Sequence, residues 1–158
     1  MLDAFSASAE YIRPLGESEV GLSPADLSPE LTRHFRALRL WLPLQLAGVA
    51  AFRAAQAEKL ALARYFHARL SQLNGFDAGP PPDLSVVAFR YQPKGGDQDA
   101  FNERLLTHIQ QEGRVMLSGT RIDAAFYLRC AILSFRTHIE HVDEAVEALE
   151  RGLEALER

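Results

Sequence analysis

The segment 124–133 constrains the fold most, because it is apolar except for one arginine in its middle, Arg129. Alternate side chains of a β-strand point to opposite faces, so one face of a strand at 126–133 is fully apolar. That face consists of Phe126, Leu128, Cys130 and Ile132, whereas Arg129 shares the other face with Tyr127 and Ala131. The planar guanidinium of an arginine held on a sheet matches the two oxygens of a carboxylate. The alternative is an arginine on a solvated sheet face, which is common in open sheets.

Helical and strand patterns alternate along the rest of the chain. A helix start is indicated at Ser28-Pro29, and Pro43 should kink or end that helix. A second helical pattern covers 49 to about 73, followed by a strand at 84–91, a helix at 99–112 ended by Gly113, a strand beginning at 115–117, a connection at 118–123, the strand at 126–133 and a helix from 138. The last helix carries a packing stripe of Ile139, Val142, Val146, Leu149, Leu153 and Leu156. This order predicts an α+β fold in which a small, mainly antiparallel sheet is covered by helices and preceded by long helices.

Composition and charge narrow the classes of function. A chain of 158 residues with 47% hydrophobic residues and a net charge of -4 is typical of one globular domain, and nucleic acid is not an expected partner. Residues 29–70 carry seven Arg and Lys against two acidic residues, which favours a solvated helix face or a subunit contact over a phosphate or RNA site. The apolar run 40–52 is too short for a membrane helix, and Asp3 and Glu10 are unlike a secretory signal. We therefore expect a cytoplasmic protein that is not bound to a membrane.

Few residues indicate chemistry of their own. His138 and His141 lie one helical turn apart and could supply two metal ligands, but without a clear third ligand a polar outer face is favoured and no metal site is expected. The single cysteine, Cys130, excludes an intramolecular disulfide, and its place on the apolar face indicates core packing. The turn at 93–97 lacks the Ser or Thr that a phosphate-binding loop needs after Gly-Lys. No acid and base pair is marked by its context, so no catalytic residue is predicted.

Three segments resemble a known family. The stretch Glu30–Val49 is similar to the Arg-Arg-Phe-Arg-Ala-Leu-Lys-Leu-Trp signature of the group II pyridoxal-phosphate-dependent decarboxylases, which include aromatic-amino-acid and glutamate decarboxylases. The stretch Gly113–Ile132 resembles the later strand pair of that family, and Ala4–Ile12 resembles the segment that leaves its large domain. The three occur in the family's order. The resemblance therefore implies the C-terminal small domain of a fold-type I pyridoxal-phosphate enzyme, with residues 1–28 as a connecting arm and 29–158 as the domain.

The resemblance also implies which parts of the active site belong to this chain. In the family, a lysine in an Asn-x-His-Lys motif, an aspartate and a histidine hold the cofactor, and all three precede the matched region. The only lysines here, Lys59 and Lys94, lack that context, so we expect no cofactor-binding residue and no pyridoxal phosphate bound by this chain alone. Arg129 matches the family arginine that is thought to grip the substrate carboxylate.

The sequence is compatible with two functions. The first is the C-terminal part of an amino-acid decarboxylase, which binds the substrate carboxylate and associates with a large cofactor-binding domain or with a second copy, as a dimer. The second is a truncated, non-catalytic paralogue that binds small acids or self-associates. Gly119-Thr120 stand where many relatives have His-Thr, so the amino acid that is the substrate stays open.

Overall fold

The computed structural model describes residues 34–157, which divide into two compact units, one ending at Leu46 and one running on from Ala47. The elements are α1 (Leu38–Leu70), β1 (Phe76–Asp77), β2 (Val86–Tyr91), α2 (Gln98–Glu112), β3 (Ser118–Ile122), β4 (Ala125–Ala131) and α3 (Ile139–Leu156). The predicted helix start at Ser28-Pro29 and the arm at 1–28 lie outside the described residues, so the predicted domain boundary stays a prediction. Among the helices of residues 34–157, none combines the length and apolarity that crossing a bilayer requires.

The sheet is antiparallel throughout, in the order β1-β2-β4-β3. One of its faces carries Phe89 of β2 and Leu128 of β4, which are register partners and fully buried. Helix α1 packs on this face through Phe66, whose ring centre lies 5.4 Å from that of Phe89 in an edge-on contact. Helices α2 and α3 join the same core through Leu105, Ile109, Val146 and Leu149. The predicted α+β architecture is therefore confirmed.

Local chemistry fixes the ends of helix α2. The Asp97 side chain accepts hydrogen bonds from the backbone N–H groups of Asp99 and Ala100, which have no partner within the helix. Gly113 follows the last turn with a φ of 74°, a left-handed conformation that glycine adopts without a steric penalty. The predicted end of this helix at Gly113 is confirmed.

The first helix differs from its prediction. Pro43 is predicted to kink or end the helix, yet α1 passes through Pro43. The non-helical residue inside α1 is Gly48, with φ 76° and ψ 159°, directly before the predicted start of the second helix at residue 49. Glycine reaches a positive φ that costs other residues energy, so the break falls where the backbone is least restricted. The helix ends at Leu70, three residues before the predicted end, and Ile139 of the predicted α3 stripe is half-exposed.

The prediction of a strand at 115–117 and a connection at 118–123 is wrong. The strand is Ser118–Ile122, and Ile122 pairs with Ala125 so that a two-residue turn joins β3 to β4. Asp123 and Ala124 have φ values of 49° and 67°, the positive pair that defines the type I′ turn preferred in such hairpins. Because β3 is an edge strand with mostly exposed or half-buried residues, it lacks the apolar alternation that identifies a strand in sequence. The neighbouring strands are also shorter than predicted, at 86–91 and 125–131.

Candidate functional site

The open face of the sheet, opposite the helices, carries the candidate site. The outward side chains of the three longer strands are Val86, Ala88 and Arg90 on β2, Ala125, Tyr127, Arg129 and Ala131 on β4, and Ser118, Thr120 and Ile122 on β3. Arg129 lies in the central part of this face, with Ala88 as its partner on one side and Ser118 on the other. The two faces that the sequence predicted for β4 are confirmed, since Leu128 is buried and Arg129 is exposed.

Among the described residues, the Arg129 guanidinium has a hydrogen-bond partner at one edge and none at the other. Its Nε donates to the Ser118 Oγ at 3.0 Å, and that hydroxyl lies 3.4 Å from the backbone oxygen of Arg129. Within residues 34–157, no carboxylate oxygen lies within 4.0 Å of the Arg129 nitrogens. A cation on an exposed sheet face, without a carboxylate partner in this part of the chain, is chemically suited to bind an external anion.

Arg90, the second arginine of this face, is in a different state. Its side chain is 13% exposed, its Nη2 donates to Asp99 Oδ1 at 2.8 Å, and its guanidinium lies 5.0 Å from the ring centre of Tyr127. The guanidinium of Arg90 is therefore already engaged by the Asp99 carboxylate and the Tyr127 ring. Its Nε is buried without a hydrogen-bond partner among the described residues. Of these two arginines, Arg129 is the one whose charge is available to a ligand.

Asp99 is the carboxylate that pairs with two arginines of the sheet, Arg90 on β2 and Arg121 on β3. It accepts the Phe126 N–H at 3.0 Å and also pairs with Arg90 and Arg121. The Phe126 hydrogen bond, followed by the charges of the two arginines, lowers the pKa of Asp99 below its usual 3.8. The carboxylate stays ionised at neutral pH and holds β4 against the start of α2.

The two lysines occupy positions unlike a cofactor lysine. Lys59 is 4% exposed, and its Nζ donates to the Thr137 carbonyl oxygen and, at 2.9 Å, to Glu58 Oε2. These contacts direct Lys59 to the start of α3, whereas Lys94 is exposed in the turn between β2 and α2. Neither lysine lies on a strand of the sheet that carries Arg129.

The other residues considered in the sequence have structural contacts. His138 Nδ1 lies 2.7 Å from Glu58 Oε1, and His141 Nδ1 accepts the backbone N–H of His138 at 3.2 Å. In the part of the chain from 34 to 157, no three His, Cys, Asp or Glu side chains are grouped to hold a metal ion. Burial raises the pKa of the Cys130 thiol to about 12, which agrees with its predicted packing role.

Sequence reasoning missed Ser118 and Arg90 as parts of this site. Arg90 could have been found by extending the alternation of β2 from the buried Val87 and Phe89, which places residue 90 on the outer face. Ser118 gives no such signal, because the sequence of 118–122 lacks the apolar alternation that identifies a strand. Its role depends on the cross-strand pairing with Arg129, which the structure supplies.

The fold defines a class of protein. This antiparallel four-stranded sheet with helices on one face matches the C-terminal small domain of fold-type I pyridoxal-phosphate enzymes. The crystal structure of Catharanthus roseus tryptophan decarboxylase in complex with L-tryptophan matches with a TM-score of 0.72 and 26% identity, over 80% of this chain and 28% of that one.

Sequence comparison narrows the class to a family. Tyrosine decarboxylase 2 of Arabidopsis thaliana is 30% identical over 155 residues, which cover 96% of this chain and 28% of the relative. The aromatic-L-amino-acid decarboxylase of Bacillus atrophaeus is 32% identical over 143 residues, or 87% of this chain and 30% of the relative. A search of protein-family profiles finds no match. The chain is thus related to the C-terminal region of the group II pyridoxal-phosphate-dependent decarboxylases, as the sequence resemblance indicated, and spans about a third of their length.

Proposed function

We propose that this chain is the C-terminal domain of a pyridoxal-phosphate-dependent amino-acid decarboxylase and that Arg129 binds the carboxylate of the substrate. The observation that carries the proposal is the exposed guanidinium of Arg129, which has no carboxylate partner within residues 34–157. A fork of donors restricts both the position and the rotation of a carboxylate. Such restriction aligns the bond that breaks in a decarboxylation, which is how a positioning contact increases rate.

The cofactor of the family does not fit the residues present here. Pyridoxal phosphate supplies an electron sink for decarboxylation once it is joined to a lysine. Lys59 is buried and bonded to Thr137 and Glu58, and Lys94 lies in an exposed turn. We therefore assign cofactor binding to a large domain that this sequence does not contain, and no catalytic step to this chain alone.

A large exposed apolar surface supports a partner for the first unit. The segment 34–46 exposes Phe35, Leu38, Leu40, Trp41, Leu42 and Leu46, and a shallow groove there is lined by His34, Phe35, Leu38, Arg39, Leu42 and Pro43. A helix that is apolar around most of its circumference is normally covered by other protein. Because about 70% of the length of the relatives lies outside the match, we propose a large pyridoxal-phosphate-binding domain as the cover.

The alternative is a non-catalytic module that self-associates through the same surface. Light scattering of the purified chain across a concentration series distinguishes the two. A monomer that dimerises only weakly supports the large domain as the natural cover. A stable dimer that Trp41→Glu converts to monomers, while Leu84→Glu on the other unit does not, supports self-association instead.

A first experiment tests whether the chain holds the cofactor by itself. The purified chain is mixed with pyridoxal phosphate, reduced with borohydride and analysed by peptide mass spectrometry. Of the two lysines, we expect labelling only at the exposed Lys94, lost in the variant Lys94→Arg, and no release of carbon dioxide from amino acids. Stoichiometric labelling of Lys59 with visible absorbance would show a cofactor site in this chain and overturn the assignment.

A second experiment tests Arg129 in a complete enzyme. This chain replaces the matched C-terminal region of Arabidopsis tyrosine decarboxylase 2, and Arg129→Ala and Arg129→Lys are compared in the chimera. Loss of a charge-assisted, two-pronged contact should raise KM for tyrosine roughly 10- to 100-fold in Arg129→Ala, with partial recovery in Arg129→Lys. Unchanged kinetics in both variants would remove Arg129 from the site. Sequencing the gene upstream of Met1 for an in-frame Asn-x-His-Lys tests the assignment independently.

A further inference from the structure

Ser118 and Arg129 form a cross-strand unit on the open face of the sheet. They are register partners on β3 and β4, so the backbone ladder fixes the separation of their Cα atoms. The Ser118 hydroxyl accepts a hydrogen bond from Arg129 Nε at 3.0 Å and faces the Arg129 carbonyl oxygen at 3.4 Å. One edge of the guanidinium is thereby occupied by the protein itself.

We propose that Ser118 is a positioning residue that determines which edge of Arg129 binds the carboxylate, an inference that rests on the proposed function. A guanidinium offers a carboxylate either its side edge, formed by Nε and one Nη, or its end edge, formed by both Nη atoms. Because Ser118 occupies Nε, the end edge remains for the ligand. The carboxylate then lies along the axis of the side chain, beyond its tip, and not beside its stem.

The hydrogen bond from Arg129 Nε to Ser118 also lowers the entropy cost of binding a carboxylate. A free arginine side chain loses rotamer entropy when a ligand immobilises it. Anchoring Nε to the neighbouring strand orders the outer side-chain torsions before the ligand arrives, which is preorganisation. Arg90 is likewise anchored, through Asp99, but the Asp99 carboxylate pairs with its charge. Ser118 is neutral, so it orients Arg129 without neutralising it.

The experiment follows the guanidinium of Arg129 directly by NMR in the 158-residue chain. The Nε–H signal of Arg129, identified by its loss in Arg129→Lys, reports the order of the side chain in wild type, Ser118→Ala, Ser118→Thr and the control Thr120→Ala. Thr120 lies on the same face of β3 and pairs with Tyr127. We expect the order parameter to fall in Ser118→Ala and to be retained in Ser118→Thr and Thr120→Ala.

Titration with phenylacetate, and with phenylacetamide as a neutral control, then tests which edge of the Arg129 guanidinium binds a carboxylate. The Nη signals of Arg129 should shift while Nε moves little, and the dissociation constant should rise about threefold in Ser118→Ala, as expected for one lost hydrogen bond. An unchanged order parameter in Ser118→Ala, or a phenylacetate shift centred on Nε, overturns the role of Ser118 alone. A rigid Nε with no response of Arg129 to phenylacetate contradicts carboxylate binding itself, and with it the proposed function.

Discussion

Leu128 and Arg129 are chain neighbours whose side chains leave β4 on opposite faces, so alanine substitutions at the two positions should differ in their cost. Leu128 is 0% exposed and lies between the register partners Phe89 on β2 and Gly119 on β3. Arg129 is exposed and is anchored by one side-chain hydrogen bond, to Ser118. We predict a large loss of stability in Leu128→Ala and a small one in Arg129→Ala.

The magnitudes follow from burial. Replacing a fully buried leucine by alanine removes about 2 to 5 kcal/mol, the loss of transfer energy plus that of the cavity. A value of about 3 kcal/mol corresponds to a fall in Tm of roughly 6 to 12 °C for a chain of this size. An exposed arginine with one side-chain hydrogen bond that water can replace contributes below about 1 kcal/mol. The free energies of unfolding of the two variants should therefore differ by about 1 kcal/mol or more.

Urea denaturation followed by far-UV circular dichroism measures both variants against the wild type. The slopes of the transitions should agree, which allows the midpoints to be compared directly. A shift of one residue in the register of a strand moves every side chain to the other face. Equal destabilisation by the two substitutions would therefore refute the assignment of faces and make Arg129 a structural residue, leaving the carboxylate proposal without its basis.

Three further substitutions test other parts of the structure. A methyl group added in Gly119→Ala would lie 2.5 Å from the ring of Phe126, so we expect a loss of about 1 to 3 kcal/mol by urea denaturation, whereas the control Gly95→Ala has open space and should change stability by less than about 0.5 kcal/mol. Ala124→Gly relieves a φ of 67° and should raise the free energy of unfolding by about 0.5 to 1 kcal/mol; a decrease would contradict the type I′ turn. The folded pKa of Asp99 lies below 3.8, so its contribution is complete above the unfolded value and is lost as pH falls through the folded value. The stability gap between wild type and Asp99→Asn should thus narrow in urea titrations taken from about pH 6 to about pH 3, and a constant gap would contradict the ion pairs.

The sequence predicted the elements with strong periodicity and missed those without it. Helix α2 and strand β4 were recognisable because their apolar residues follow periods of 3.6 and 2, and Gly113 marked the helix end. Edge strand β3 was missed because none of its residues, Ser118–Ile122, is fully buried, so its sequence shows no alternation of apolar and polar residues. The two-residue strand β1 at Phe76–Asp77 carries too few residues for any pattern.

The residues of the candidate site also differ in whether the sequence predicts them. Arg129 was predictable because it interrupts an apolar strand, and the alternation alone gives its face. Ser118 was not predictable, because a contact between residues 118 and 129 requires the hairpin register that the Asp123-Ala124 turn sets. The sequence also does not show that Arg90 is ion-paired whereas Arg129 is not. The partner of Arg90 is Asp99 in the first turn of α2, and only the packing of that helix against the sheet brings the two together.

By itself, the sequence determined an α+β domain with an arginine on the outer face of a strand and a resemblance to one family of decarboxylases. Those conclusions depend on local periodicity and on residue order, which a linear chain displays directly. The tertiary structure alone decided which arginine keeps a free charge, which residue holds it, and that Lys59 is turned into the protein. Ion pairs and cross-strand hydrogen bonds join residues distant in the chain, so their partners exist only once the sheet and helices have packed.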